Sequence, residues 1–220
     1  MILSDVEVRV VGSLVEKQVT TPDYYPLTLN ALVHACNQTS NRDPVVAYDE
    51  RTISEAIESL REKNLVYVFY GSESRVPKYK HVMTEILHLT PAELAIMCVL
   101  MLRGAQTVGE LRGRTGRLYE FTGLEEVEAT LDALMTRDEQ PLVMRLARAS
   151  GQKEARYAHL LAGEANLSEQ QDGSGQTPQP RRVRGAVDER IGKLELEVED
   201  LKAQFAVLQE AFDNFRKQFE

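Results

Sequence analysis

At 220 residues, with 43% hydrophobic and 27% charged side chains, the chain has the composition of a globular protein of one or two domains. A net charge of −8 argues against broad, sequence-independent affinity for nucleic acid. No apolar run approaches the ~20 residues that cross a bilayer, no basic segment precedes an apolar one at the N-terminus, and Cys36 and Cys98 make no recognisable framework, so a cytoplasmic protein without membrane contact is expected.

Ser4-Asp5-Val6-Glu7 has the form of a capping box, in which serine caps the Glu7 amide and Glu7 reaches back. It predicts a helix to about Gln18, although Val6-Glu7-Val8-Arg9-Val10 alternates like a strand. The same box recurs at Thr90-Pro91-Ala92-Glu93, with proline at the first helical position, and leads into Leu94 to Leu102, rich in Leu, Met and Ala. Aligning the two boxes favours helix in both places. Thr28 is a plausible cap for a second helix over Leu29 to Cys36, and Thr107-Val108-Gly109-Glu110 opens its counterpart to about Leu118. The stretch Asn37 to Pro44 is polar and turn-rich.

A third helix and a hairpin follow in each half. The first unit runs from Asp49 to His81, with Ile53, Ile57 and Leu60 at helical spacing; the second runs from Thr122 to His159, with Val127, Leu131 and Leu134. The runs Leu65–Tyr70 and Arg75–His81 read as paired strands, as do Leu142–Arg148 and Lys153–His159. Arg75-x-x-Lys78-Tyr79-x-His81 and Lys153-x-x-Arg156-Tyr157-x-His159 share one pattern, the mark of an internal duplication. The second copy carries four extra residues near Arg137 to Pro141, a loop insertion of small thermodynamic consequence. Three short helices and a marginal hairpin bury their apolar faces by packing together. The predicted fold is therefore mainly α with small β-hairpin wings (α+β): winged-helix domains at 1–87 and 88–164.

Glu16-Lys17-Gln18-Val19-Thr20-Thr21-Pro22, Cys36-Asn37-Gln38, Asn41-Arg42-Asp43-Pro44 and Arg103-Gly104-Ala105-Gln106-Thr107 resemble stretches of the YceH-like bacterial proteins. So do Gly109-Glu110-Leu111-Arg112 and Arg117-Leu118-Tyr119-Glu120-Phe121. The resemblance covers roughly residues 3 to 164. It implies a tandem winged-helix fold, in agreement with the pattern, and it implies no activity.

From Ala165 to Gly185, Ser, Gln, Gly and Pro dominate, so residues 165–185 read as a flexible linker. In residues 186–220, Val187, Ile191, Leu194, Val198, Leu201, Phe205, Leu208, Phe212, Phe215 and Phe219 form a heptad seam. Ile191 and Val198 at a, with Leu194, Leu201 and Leu208 at d, favour a parallel homodimer. The bulk of Phe205, Phe212 and Phe219 at a leaves open a higher oligomer, or a helix docked on its own chain.

Catalysis is not expected. His34, His81, His88 and His159 build no triad or zinc site, and no phosphate-cradling glycine loop or nucleophile elbow is present. No cofactor or metal is expected either. Two readings remain. Winged helices commonly place the third helix in the DNA major groove and the wing on the backbone. The candidates for contact with nucleic acid or an acidic partner are Arg51, Arg61, Lys63, Arg75, Lys78 and Lys80 in the first half, and Arg112, Arg114 and Arg117 in the second. Against DNA stand four glutamates between Glu50 and Lys63, and Glu125, Glu126, Glu128 and Asp132 with no basic residue between Gly123 and Thr136. Such helices repel phosphate and lack base-reading groups. The favoured reading is a non-catalytic adaptor with an unidentified protein partner.

Overall fold

The computed structural model describes residues 1–70, 76–147 and 154–163, which lie within one compact unit, Met1–Gln170. The expected linker and coiled coil, with all the seam positions from Val187 to Phe219, fall outside the described residues, as do Arg75, Arg148 and Lys153. The fold is mixed α+β, about half helical, with small antiparallel sheets.

The first half runs α1 (Asp5–Thr20), a 3-10 turn at Pro22–Tyr24, β1 (Leu27–Thr28), α2 (Leu29–Cys36), α3 (Glu50–Glu62), β2 (Val66–Phe69) and β3 (Lys78–His81). After a short α4 (Met83–Ile86), the second half repeats the path with α5 (Pro91–Arg103), α6 (Val108–Thr115), α7 (Leu124–Met135), β4 (Val143–Arg145) and β5 (Tyr157–His159). The capping boxes at Ser4, Thr90 and Thr107 all form, each with both reciprocal bonds. Thr28 caps α2 through the amide of Ala31 at 3.3 Å. The helix after Thr107 ends at Thr115, before the expected Leu118. Gly113 and Gly116 weaken it, and the Thr115 carbonyl turns to accept from the amides of Leu118 and Tyr119.

The strand-like alternation in α1 has a tertiary explanation. Every residue from Glu7 to Val15 is buried, so α1 is enclosed on all sides instead of presenting one apolar stripe. In α5 the same holds from Glu93 to Leu102. The two first helices pack against each other, and one apolar core joins the halves, with Val10, Val11 and Leu14 in the same cluster as Ile96, Met97 and Leu100. Gly12 sits at the closest approach: a Cβ there would meet Leu102 at 3.0 Å and Met101 Cβ at 3.1 Å. The Cys98 thiol donates to the Gly12 carbonyl across this contact, at 3.5 Å. A second tie joins the start of the first half to the end of the second, where the Leu3 amide donates to the Leu161 carbonyl at 2.7 Å.

The first sheet has strand order β1-β3-β2, with Leu27 opposite Tyr79, Tyr67 opposite Lys80 and Phe69 opposite Lys78. The second pairs β4 with β5, and Gln106 bridges Tyr157 just ahead of α6. That bridge is the counterpart of β1, which likewise precedes the second helix of its half. Pairing of one or two residues has no readable period in sequence, so neither was expected.

Candidate interaction surfaces

The helices α3 and α7 expose most of the charge singled out in the sequence. On α3, Arg51 donates to Glu55 at 2.8 Å and Arg61 to Glu58 at 2.6 Å, both pairs exposed. Lys63, just past the helix, bonds Glu7 at 2.5 Å. Burial pushes the Glu7 carboxyl up, but the bonds from Lys63, the Ser4 amide and Ser59 outweigh it and hold the group below the usual carboxylate range. All three α3 cations are thus answered by acids of the same half. On α7 the exposed face carries Glu125, Glu128 and Asp132 with no cation. Glu126, at its first turn, accepts from the backbone amide and hydroxyl of Thr122 and from Tyr119, which hold its carboxyl below the ordinary value.

The hairpin β2–β3 has a different character. Its inner side buries Val66, Tyr79 and His81. Its outer side exposes Tyr67 and Phe69, about half accessible each, with Tyr70 following. The register sets Tyr67 beside Lys80 and Phe69 beside Lys78. Neither lysine has a carboxylate within ion-pair distance among the described residues. The result is a sheet face on which aromatic rings alternate with lysines. Sequence patterning pointed to the lysines but not to Tyr67 and Phe69, whose exposure depends on which hairpin face meets α1.

The loop after α2 is fastened by two arginines that sequence reading passed over. Arg42 has no side-chain exposure and forks onto Glu16 at 3.1 and 2.7 Å, while also donating to the Ala35 carbonyl and the Gln38 side chain. Arg9 reaches the carbonyls of Cys36 and Pro44. Burial, followed by the neighbouring Arg42, lowers the Arg9 pKa. Both arginines therefore meet the carbonyl end of α2, the negative pole of the helix. Asn37 closes the loop by exchanging two bonds with the Tyr48 backbone. Their signals were present: an arginine inside a valine-rich helix, and the Asn41-Arg42-Asp43-Pro44 motif.

Where this loop meets the second half, Glu16, Thr20, Asn41, Val99, Leu102, Arg103, Arg114, Arg117 and Leu118 line a cleft of about 50 Å³, with Cys98 at its base. Of the candidate arginines on and after α6, Arg114 and Arg117 face this cleft, while Arg112 does not line it. Arg103 was not anticipated. Its guanidinium donates to the Asn41 side-chain oxygen, and Asp43 donates its amide to the Leu102 carbonyl at 2.9 Å.

Of the paired histidines, His81 is buried and His159 half-buried. His81 bonds Gln18 through Nε2 at 2.5 Å, and its Nδ1 accepts from the Met83 amide at 3.3 Å. That arrangement requires the neutral ring, and burial pushes its pKa down to about 4. Burial does the same at His159, also to about 4. Both cysteines are buried and free. Burial raises the Cys36 thiol to about 11, and raises Cys98 as well. No metal-binding group of three His, Cys, Asp or Glu, and no helix long and apolar enough to cross a membrane, occurs among the described residues.

Residues 3–152 match a family described as "Protein of unknown function, DUF480". The UPF0502 protein of Opitutus terrae is 58% identical over 167 residues, which cover 76% of this chain and 73% of that protein. Those of Pelobacter propionicus and Geobacter sulfurreducens are each 49% identical across 100% of this chain and 99% of their own length. These matches agree with the resemblance to the YceH-like bacterial proteins. The chain belongs to the DUF480 family, with the UPF0502 proteins as its relatives.

Proposed function

We propose that the two halves are winged-helix domains in tandem, with β2–β3 and β4–β5 as wings, and that together they form a non-catalytic adaptor. The first wing docks an acidic protein segment. The observation that carries this reading is the outer face of β2–β3, where two aromatic rings lie cross-strand from two lysines that have no acidic partner among the described residues. Exposed aromatics are enriched at protein interfaces, and the lysines select an acidic partner by complementarity. Groove reading by the third helices has less support: Arg51 and Arg61 are tied to Glu55 and Glu58, and α7 offers only acids. The heptad seam at 186–220 is proposed to pair two copies, giving a divalent adaptor. Sedimentation of the full chain against Leu201→Glu/Leu208→Glu tests that part, with dimers expected for the former and monomers for the latter.

A photo-crosslinking residue at Tyr67, compared with one at Arg145 on the second hairpin, tests the docking face in cells. Expected at Tyr67 is an adduct that resists nuclease and is lost in Lys78→Glu/Lys80→Glu. DNA binding has one observation in its favour, since the same lysines have no carboxylate within ion-pair distance among the described residues and could meet phosphate. A nuclease-sensitive adduct at Tyr67 would establish that reading and overturn the adaptor, and equal labelling at both hairpins would remove the first wing as the docking face.

A further inference from the structure

We propose that the cleft between α1, α5, α6 and the Asn41 loop is a binding site for a small phosphate-bearing ligand, held by Arg103, Arg114 and Arg117. The inference is independent of the wing, because it rests on the charge and size of the junction between the halves.

Three arginines line the cleft against one acid, Glu16. Glu16 is already committed, with both its oxygens bonded to the buried Arg42. Arg103 meets a neutral amide oxygen on Asn41, and neither it nor Arg117 has a carboxylate within ion-pair distance among the described residues. Arg114 bonds Gln106 and lies 3.5 Å from Glu110, but that carboxylate is shared with Arg156 at 3.1 Å and with the Thr107 amide. The cleft is therefore cationic after local pairing is counted. Burial lowers the Arg103 pKa, and Arg114 and Arg42 lower it further by like-charge repulsion, a strain that a bound anion would reverse.

The ligand class follows from geometry. The space is about 50 Å³, roughly three to five water positions at ~10–15 Å³ each. That admits a tetrahedral oxyanion, and because the cleft opens to solvent the remainder of a larger ligand would project outward. Guanidinium groups suit phosphate because they present paired N–H donors to its oxygens. Three of them exceed what the two oxygens of a carboxylate can use. The wall of Val99, Leu102 and Leu118 lowers the local dielectric and strengthens each contact. A ligand here would bond Arg114 and Arg117 of the second half beside the Arg103–Asn41 bond to the first, and so lock the junction.

Calorimetric titration of the full chain with inorganic phosphate and with glycerol phosphate, at matched ionic strength, tests the site. Saturable one-to-one binding is expected, weakened about tenfold or more in Arg103→Gln/Arg117→Gln and unchanged in Arg51→Gln/Arg61→Gln. The variant Arg103→Lys/Arg117→Lys keeps the charge and guards against a folding defect; it too should bind more weakly, since ammonium groups lack the fork. Tighter binding of the ester than of free phosphate would identify a phosphorylated small molecule, and equal binding would identify phosphate itself. No saturable heat, equal affinity for acetate, or full affinity in both double variants would overturn the proposal. Competition by phosphate for a short duplex bound through the same arginines would also overturn it, in favour of a nucleic-acid contact.

Discussion

The two halves follow one chain path and secure it by different chemistry. In the first, the loop 37–49 is held by charge: Arg42 forks onto Glu16, and Arg9 and Arg42 answer the carbonyls at the end of α2. In the second, the loop 116–123 is held by an edge-to-face contact of Tyr119 and Phe121, with centroids 4.8 Å apart, and by the Glu126 carboxylate, which accepts from Tyr119 and Thr122. The hairpins differ as well. The first exposes Tyr67 and Phe69 beside lysines, whereas β4–β5 buries Val143 and Ala158 and shows Arg145. Duplication preserved the apolar positions that make the core, and the connections and outer faces diverged. The first half therefore depends on a buried ion pair, and the second on ring packing together with bonds to a partly exposed carboxylate.

The largest effect should come from breaking that polar fastening. Arg42→Ala would strand Glu16, whose side chain is 12% exposed, and should destabilise by roughly 3–5 kcal/mol, as expected for a buried pair that loses one partner. Arg112→Ala, exposed on the second half, should change stability by less than about 0.5 kcal/mol. Urea unfolding of both variants measures the contrast, and equal small effects would mean that the first half does not rely on Arg42.

Gly12→Val acts on the contact that joins the halves. Overpacking against Met101 and Leu102 should cost about 1–3 kcal/mol, seen as a lower urea midpoint without a change in slope. A neutral result would mean that α1 and α5 separate readily.

The two equivalent histidines should make stability fall in acid. Each has a folded pKa of about 4, below the ordinary 6.5, so between those values the unfolded chain binds the extra proton. Stability is then full above pH 6.5 and declines toward pH 4, by about 1.4 kcal/mol per pH unit for each histidine. His81→Gln should flatten the acid limb by about half if the halves contribute equally. An unaltered limb in thermal melts across this range would assign the effect to carboxylates.

The smallest contrast lies at the third-helix caps. Asp49 caps α3 by accepting from the Thr52 amide at 2.8 Å, so Asp49→Ala should cost about 0.5–2 kcal/mol. At α7 the cap is Gly123 without a side-chain bond; glycine still caps better than alanine, so Gly123→Ala should cost only a few tenths of a kcal/mol less than Asp49→Ala, once the Glu125 carboxylate rotates away from the new Cβ. Comparing the two thermal midpoints tests the difference.

Local chemistry was legible residue by residue. The capping boxes at Ser4, Thr90 and Thr107, the Thr28 cap, and the apolar triads Ile53/Ile57/Leu60 and Val127/Leu131/Leu134 follow from bonds and spacings within one or two helical turns, so the sequence alone determined the helices and the repeated order of elements. What it could not determine depends on residues far apart in the chain. The strand-like valines of α1 are buried on every side because α5 covers their outer face, 86 residues on at the Gly12–Cys98 contact. Arg42 is a core residue because Glu16 and the end of α2 come together around it. Arg103, Arg114 and Arg117 share a cleft only because α5 and α6 fold against the first half's loop. Charge in a sequence states how many cations exist; tertiary packing decides which are paired, as Arg51 and Arg61 are, and which, like Lys78, Lys80 and Arg117, have no carboxylate in reach among the described residues.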